Sequence, residues 1–145
     1  MKRMSRAIFI QKRPESVFSL VSDPARYEEF FQGLSRWEPL SDAPGYGARY
    51  RVLMKVGSIE AGGTVRVSYW LKPKAIKWVW EKGVHQGGRW QLNPKGKGTE
   101  LRLEVDFDLS GGPVGRVVEH LAGRIVARNV GATLLAARRI LELEP

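Results

Sequence analysis

The sequence predicts an α+β fold, in which a curved antiparallel sheet of about seven strands wraps around one long C-terminal helix, with two short helices after the first strand. Three observations lead to this prediction. Residues 113–142 have apolar side chains at helical spacing and no proline after the first position. Residues 100–109 alternate strictly between apolar and charged side chains, the pattern of a strand with one covered face and one wet face. Short alternating segments joined by turns fill the region before them, which favours antiparallel strands.

The N-terminal region predicts one strand and two short helices. The strand covers 5–12, and a proline begins the first helix, 14–22, because proline is favoured at the first helical position. Asp23 is the predicted N-cap of the second helix, 24–32. Gly33 follows as its predicted C-terminal stop.

The middle of the chain predicts a run of consecutive strands. Their alternation separates a covered face from a wet one, and it places Val65, Val67 and Tyr69 together on the covered face. The glycine-rich residues 82–88 are predicted to form a loop. The predicted strands are 35–40, 46–56, 59–71, 75–81, 89–93 and 99–109.

The C-terminal helix, 113–142, would be about 45 Å long at 1.5 Å per residue, so it needs an extended apolar surface on which to pack. Asn129 lies inside its apolar stripe, where a buried amide must be hydrogen-bonded. It could orient a ligand or bond a residue of the sheet, and the sequence leaves both alternatives open. The predicted stripe consists of Val114, Val118, Leu121, Ala122, Ile125, Ala132, Ala136 and Ile140.

Composition favours one globular domain, 1–145, that is long enough to bury a core. No apolar run approaches the ~20 residues that cross a bilayer, so no transmembrane segment is expected. The apolar stretch after the basic N-terminus, 7–10, is too short for a signal peptide, and a cytoplasmic location is therefore expected. The chain has no cysteine, and His85 and His120 form no metal motif. No cofactor or metal is predicted.

The formal net charge of +9 concerns partners rather than fold. Lysine and arginine are spread along the whole chain, which is typical of a generally basic surface. The alternative is a surface for RNA, the ribosome or an anionic membrane, but no RNA-binding motif is present. The spread of charge favours a generally basic surface over a surface for one of these partners. The oligomeric state stays open.

Three stretches of the chain form a recognisable set. They are residues 14–27 (PESVFSLVSDPARY), residues 88–92 (GRWQL) and the segment 98–109, which begins GTEL and ends DFDL. Together they resemble the START-like (SRPBCC, helix-grip) superfamily. Within the superfamily, the chain is most similar to the coenzyme Q-binding proteins and the small proteins of the polyketide cyclase/dehydrase type. The resemblance covers nearly the whole chain and implies the helix-grip fold. It brings no shared catalytic motif, and residues 81–88 contain no extended lid that would identify a ligand.

The resemblance also implies a cavity between sheet and long helix, in which relatives hold an apolar ligand. Such cavities are mostly apolar, with a few placed polar groups. Any one of the apolar side chains here could equally be ordinary core, so the prediction rests on the set as a whole. The predicted lining consists of Tyr50, Val52, Met54, Val65, Val67, Tyr69, Trp78, Trp80, Trp90, Leu103, Val105, Phe107, Leu121, Ile125 and Asn129.

Three functions are therefore considered. The first is binding or transport of a hydrophobic small molecule such as a lipid, a quinone or a polyketide. The second is a cyclase or dehydratase acting on such a molecule, with Arg49, Tyr50 and Tyr69 as nominal acids. The third is association with the ribosome or RNA. No nucleophile–base pair has recognisable spacing, so binding is favoured over catalysis.

Overall fold

The structure is a computed structural model that describes residues 2–83, 85–108 and 115–145. Its elements confirm the predicted fold class, a curled antiparallel sheet with a long C-terminal helix. The strands are β1 (Lys2–Ile10), β2 (Leu34–Pro39), β3 (Arg49–Val56), β4 (Ile59–Leu71), β5 (Ala75–Gly83), β6 (His85–Lys95) and β7 (Gly98–Asp108). The helices are α1 (Pro14–Val21), a short 3-10 helix (Pro24–Arg26), α2 (Tyr27–Phe30) and α3 (Gly115–Leu143).

The sheet has seven strands in the order β1-β7-β6-β5-β4-β3-β2. Strands β2 to β7 follow one another as antiparallel neighbours, which agrees with the short turns in the sequence. The first strand, β1, lies beside the last, so that Lys2 is opposite Phe107 and Ile10 is opposite Thr99. The face that carries Val65 and Trp90, both fully buried, is called the inner face.

Helix α3 lies along the inner face and packs mainly on β1 and β7. Its buried residues are rotated relative to the predicted stripe, and Leu121, a predicted member, is 53% exposed. Apolar residues recur at helical spacing along two adjacent faces of this helix. Periodicity alone cannot decide which of these faces packs on β1. The described buried positions are Ala122, Gly123, Val130, Thr133, Leu134, Ala137 and Leu141. The predicted start, 113, and Val114 lie outside the described residues, and the side chain of Val118 is not described.

The glycine-rich segment 82–88 is not the predicted loop, because β5 continues to Gly83 and β6 begins at His85. Gly88 is a strand residue in close contact with its neighbours. A methyl group added there would lie 2.4 Å from the carbonyl oxygen of Glu104 and 2.7 Å from Cζ2 of Trp78. A glycine inside a strand often marks such a close approach rather than a loop.

The ladder between β5 and β6 is short. In the described residues they pair only from Ala75 opposite Gln91 to Trp78 opposite Gly88. Beyond this point β5 stays paired with β4, and β6 stays paired with β7. The β5–β6 ladder therefore stops before the connection between the two strands, at the end of the sheet where Phe107 packs against Ala122 of α3. This end is called the open end.

Candidate ligand-binding site

An aromatic wall covers part of the inner face. The ring of Trp37 on β2 is its centre, with centroid distances of 5.2 Å to Tyr27, 5.7 Å to Tyr50 and 5.6 Å to Trp78. The rings meet edge-on or tilted, as aromatic pairs prefer. Trp37 is absent from the predicted lining, although its ring contacts Tyr50 on β3 and Trp78 on β5, which are both predicted lining residues.

Burial along the inner face changes from one end to the other. At the end of the sheet where α3 finishes, Trp90, Leu103 and Leu141 are at most 2% exposed. Toward the open end, Val105 on β7 and Val126 on α3 are only partly buried, although both belong to the interior. The C-terminal half of α3 thus packs on the sheet through Leu134, Ala137 and Leu141, whereas in its N-terminal half Val126 is partly buried beside the buried Ala122.

Most predicted lining residues lie on the inner face or on α3 toward it. Trp80, opposite Val65, is also on the inner face but is 41% exposed. Those partly buried are Met54, Val105, Ile125 and Asn129. Those buried are Tyr50, Val52, Val65, Val67, Trp78, Trp90, Leu103 and Phe107.

Tyr69 does not lie with this set. A register shift between Val67 and Tyr69 places Tyr69 opposite Lys77 on the outer face, where it is 47% exposed. Trp70 faces inward instead and packs edge-on against Phe18, with ring centroids 5.5 Å apart. A bulge transfers later side chains to the opposite face, which strict alternation could not reveal.

The outer face carries its own concavity of about 540 Å³ across β4, β5 and β6. Its lining includes the exposed ring of Tyr69 and the cations Lys74, Lys77 and Arg89. Arg89 is already paired with Glu104 at 2.8 Å. Arg49, a nominal acid, is paired with Glu81 at 2.8 Å and is also far from the inner face, since it alternates with the buried Tyr50.

Two predicted helix residues contact the far rim of the curled sheet. A methyl group added to Gly33, whose φ is +84°, would lie 2.7 Å from Nδ2 of Asn129. One added to Gly57, in the β3–β4 turn, would lie 3.3 Å from Cδ1 of Ile125. Asn129 thus packs against the turn that follows α2, and a contact of its amide with ligand stays a prediction.

The buried tyrosines are held as neutral hydroxyls. Trp90 Nε1 donates to the Tyr27 hydroxyl at 3.2 Å, and that hydroxyl donates to the carbonyl of Val21 at 2.5 Å. Burial raises the pKa of Tyr27. Burial also raises the pKa of Tyr50, and the negative charge of Asp23 adds to this effect.

Raising the pH above about 10 is expected to destabilise the protein through Tyr27. Its folded pKa is raised above the ordinary value of 10.0, so between these values the unfolded chain has lost a proton that the folded chain keeps. The contribution of Tyr27 to the free energy of unfolding is fully present below about pH 10. It falls by about 1.4 kcal/mol per pH unit as the pH rises toward the folded pKa of Tyr27.

Urea unfolding at several values between about pH 8 and pH 11 measures this slope. Tyr27→Phe has no phenol to titrate at this position, so its stability should fall less steeply over the same range. Equal slopes for the two proteins would contradict the expectation.

Two buried donors on the inner side have no hydrogen-bond partner within the described structure. They are Trp37 Nε1 and Gln86 Nε2. An unpaired buried donor typically costs about 1–3 kcal/mol. Gln86 lies in the segment 82–88, for which the sequence predicts a loop, and it is absent from the predicted lining. The described residues contain no group of three or more histidine, aspartate or glutamate side chains that could hold a metal ion.

Solved structures with the same arrangement confirm the START-like fold. The protein TTHA0849 from Thermus thermophilus superposes with a TM-score of 0.83, 17% identity and 97% coverage of both chains. The ZhuI aromatase/cyclase from Streptomyces sp. R1128 gives a TM-score of 0.79 and 20% identity, over 97% of this chain and 93% of that one. A START superfamily protein from Mycobacterium smegmatis gives 0.73 and 20%, over 97% of both.

These identities establish similarity of fold alone. The comparison with curated protein sequences found no match. No helix in the described part of the chain has the length and apolar character needed to cross a membrane. The family described as polyketide cyclase / dehydrase and lipid transport matches residues 1–142, nearly the full chain. The protein therefore belongs to the polyketide cyclase/dehydrase and lipid transport family.

Proposed function

We propose that the protein binds a hydrophobic small molecule between the N-terminal half of α3 and the inner face of the sheet. The observation that carries the proposal is the accessible apolar surface at the open end. Val105 and Val126 face the interior but remain partly exposed, and Trp80 is 41% exposed. Covering such surface is favourable by about 25 cal/mol per Å². A lipid, a quinone or a polyketide-like molecule would supply the covering groups.

The aromatic wall supports a ligand with flat rings. Trp37 and Trp78 meet edge-on at 86°, with ring centroids 5.6 Å apart, and a flat ligand ring could pack against them in the same way. Pockets for small molecules are mostly apolar and aromatic, with few polar groups. The membership of the family, whose description includes both cyclases and lipid transport, agrees with this kind of ligand.

A cavity-filling substitution tests the proposal. Val105 lies between Gly88 and Met4 on the neighbouring strands, so Val105→Trp would project a large ring into the accessible space. We expect the purified protein to bind about one molecule of anilinonaphthalene sulfonate per chain. Val105→Trp should weaken this affinity at least about tenfold, which corresponds to about 1.4 kcal/mol.

Leu135→Trp is the matched control, because Leu135 is 49% exposed on α3. It adds the same kind of ring without entering the interior, and its affinity for the dye should equal that of the wild type. Circular dichroism and the unfolding midpoint would show that both variants fold. Undiminished dye binding by a folded Val105→Trp protein would contradict the proposed location.

A cyclase or dehydratase activity is the second candidate. Tyr50 is the nominal acid that does lie on the inner face, and its raised pKa keeps it protonated as a donor. If it protonates a ligand oxygen, Tyr50→Phe should abolish turnover of a poly-β-ketone thioester, followed by ultraviolet absorbance, while dye binding is retained. Turnover that is equal in the two proteins would exclude this role.

Contact with the ribosome or an anionic membrane has less support. Several arginines of the outer face are paired with carboxylates, and Arg49 and Arg66 share one of them, Glu81. Such pairs reduce the positive field that would attract a phosphate backbone or anionic lipid. The proposal therefore centres on the interior of the molecule.

A further inference from the structure

The interior contains two hydrogen-bond donors that the described protein does not satisfy. Trp37 Nε1 and Gln86 Nε2 are both buried, and neither has an acceptor in the described structure. Buried polar groups are nearly always hydrogen-bonded, so each exception requires an explanation. A ligand that supplies acceptor atoms would provide one.

Gln86 lies on the inner face at the open end. It is directly opposite Phe107, whose ring packs against Ala122 of α3, and opposed residues of an antiparallel pair share a face. It lies two positions before Gly88 and four before the fully buried Trp90 on β6, so the three residues share a face. Gln86 therefore lies beyond the last β5–β6 pair, at the open end of the inner face.

Trp37 lies on the other side of Trp78. The two indole rings are 5.6 Å apart, and Trp78 also covers Gly88. Gln86 lies two positions before Gly88 on β6. At about 3.3 Å per residue, the two residues are about 7 Å apart. The two unpaired donors thus flank Trp78, one within the aromatic wall and one at the open end.

We propose that Trp37 and Gln86 are the polar specificity determinants of the cavity, and that its ligand is a flat apolar molecule with acceptor oxygens near both ends of Trp78. This inference rests on the proposed function. Carbonyl, ether or hydroxyl oxygens would accept from the indole and amide N–H groups. A hydrocarbon of the same shape would leave both donors unpaired, and a site with unpaired polar groups discriminates strongly against such an analogue.

The contact of an indole N–H with an aromatic face is the main alternative for Trp37. The edge-on neighbours Tyr27 and Trp78 are close enough for it. Such contacts are weak beside a conventional hydrogen bond, so an acceptor oxygen would still compete successfully. The decisive test is directed at Gln86, whose primary amide is a conventional hydrogen-bond donor.

The test compares anthraquinone with anthracene, which share three fused rings and differ in two carbonyl oxygens. The chain has no cysteine, so the quinone cannot be captured by a thiol. Both compounds are measured by displacement of anilinonaphthalene sulfonate. We expect wild-type protein to prefer anthraquinone at least about tenfold, and Gln86→Leu to reduce that preference about 5- to 10-fold while anthracene binding is unchanged. Trp37→Phe should reduce it by a similar factor.

Gln91→Leu is the matched control, because Gln91 lies on the same strand but lines the concavity of the outer face. It should keep the wild-type preference. Gln86→Leu should be as stable as the wild type or more so in urea unfolding, since it removes an unpaired donor. A folded Gln86→Leu protein with the wild-type preference would overturn the inference. If the wild type binds both compounds equally, only the inference fails, whereas no binding of either compound or of the dye would overturn the proposed function as well.

Discussion

Trp90→Ala is expected to lower the free energy of unfolding by about 3–5 kcal/mol, the usual cost of removing a large buried aromatic side chain. Trp90 is fully buried, and its ring lies 6.4 Å from Tyr27, 6.2 Å from Phe30 and 5.9 Å from Phe31. It joins β6 to α2, so its loss opens a cavity at the tightly packed end. Urea unfolding followed by circular dichroism measures the change.

The same substitution at Trp80 is the control. Trp80 is 41% exposed at the open end, so Trp80→Ala should cost well under half as much. Trp90→Phe separates packing from hydrogen bonding, because it keeps a ring but loses the donor to Tyr27. Equal losses for Trp90→Ala and Trp80→Ala would show that the packing gradient along the inner face is wrong.

Gly88→Ala should lower the free energy of unfolding by about 1–3 kcal/mol or more, although it adds only a methyl group. That group would lie 2.4 Å from a backbone carbonyl oxygen, that of Glu104, and 2.7 Å from the ring of Trp78. A backbone contact cannot be relieved by rotating a side chain, so β6 or β7 must shift. The displacement of Trp78 should also change tryptophan fluorescence and weaken dye binding.

Gly131→Ala provides the opposite control. Gly131 lies within α3, and nothing is within 4 Å of the position its methyl group would take. Alanine is favoured over glycine in helices by about 1 kcal/mol, so this substitution should stabilise the protein slightly. Destabilisation by Gly131→Ala, or tolerance of Gly88→Ala, would contradict the contacts described.

Much of the sheet could be predicted because its strands have one covered face. Leu101, Leu103 and Phe107 are all buried, as the alternation in β7 indicates. Tyr69 was misplaced for a specific reason. Tyr69 and Trp70 are neighbouring aromatic residues. A regular strand would turn Tyr69 inward, and a strand with a bulge turns Trp70 inward, so the hydrophobic pattern is almost the same in both cases.

The candidate site was less accessible to sequence reasoning. Gln86 lies among glycines that suggest a loop, and only the tertiary structure shows that Gly88 is there to admit the ring of Trp78. Trp37 belongs to the short strand β2, in which buried and exposed residues do not alternate with a period of two. For α3, periodicity could identify the helix but not its orientation, because that depends on where β1 lies.

The position of β1 beside β7 has a consequence for how the chain folds. Strands β2 to β7 can pair with neighbours as they are synthesised, but β1 has no partner until Gly98–Asp108 emerges. The C-terminus then fixes the N-terminal region, since Glu142 accepts from the backbone of Gln11 and the carbonyl of Glu144 accepts from Lys12. Such distant pairings must pay loop-closure entropy first, and they are associated with folding in milliseconds to seconds. Nascent chains that lack α3 therefore expose β1 and the aromatic interior, and they depend on completion of the last helix for protection from aggregation.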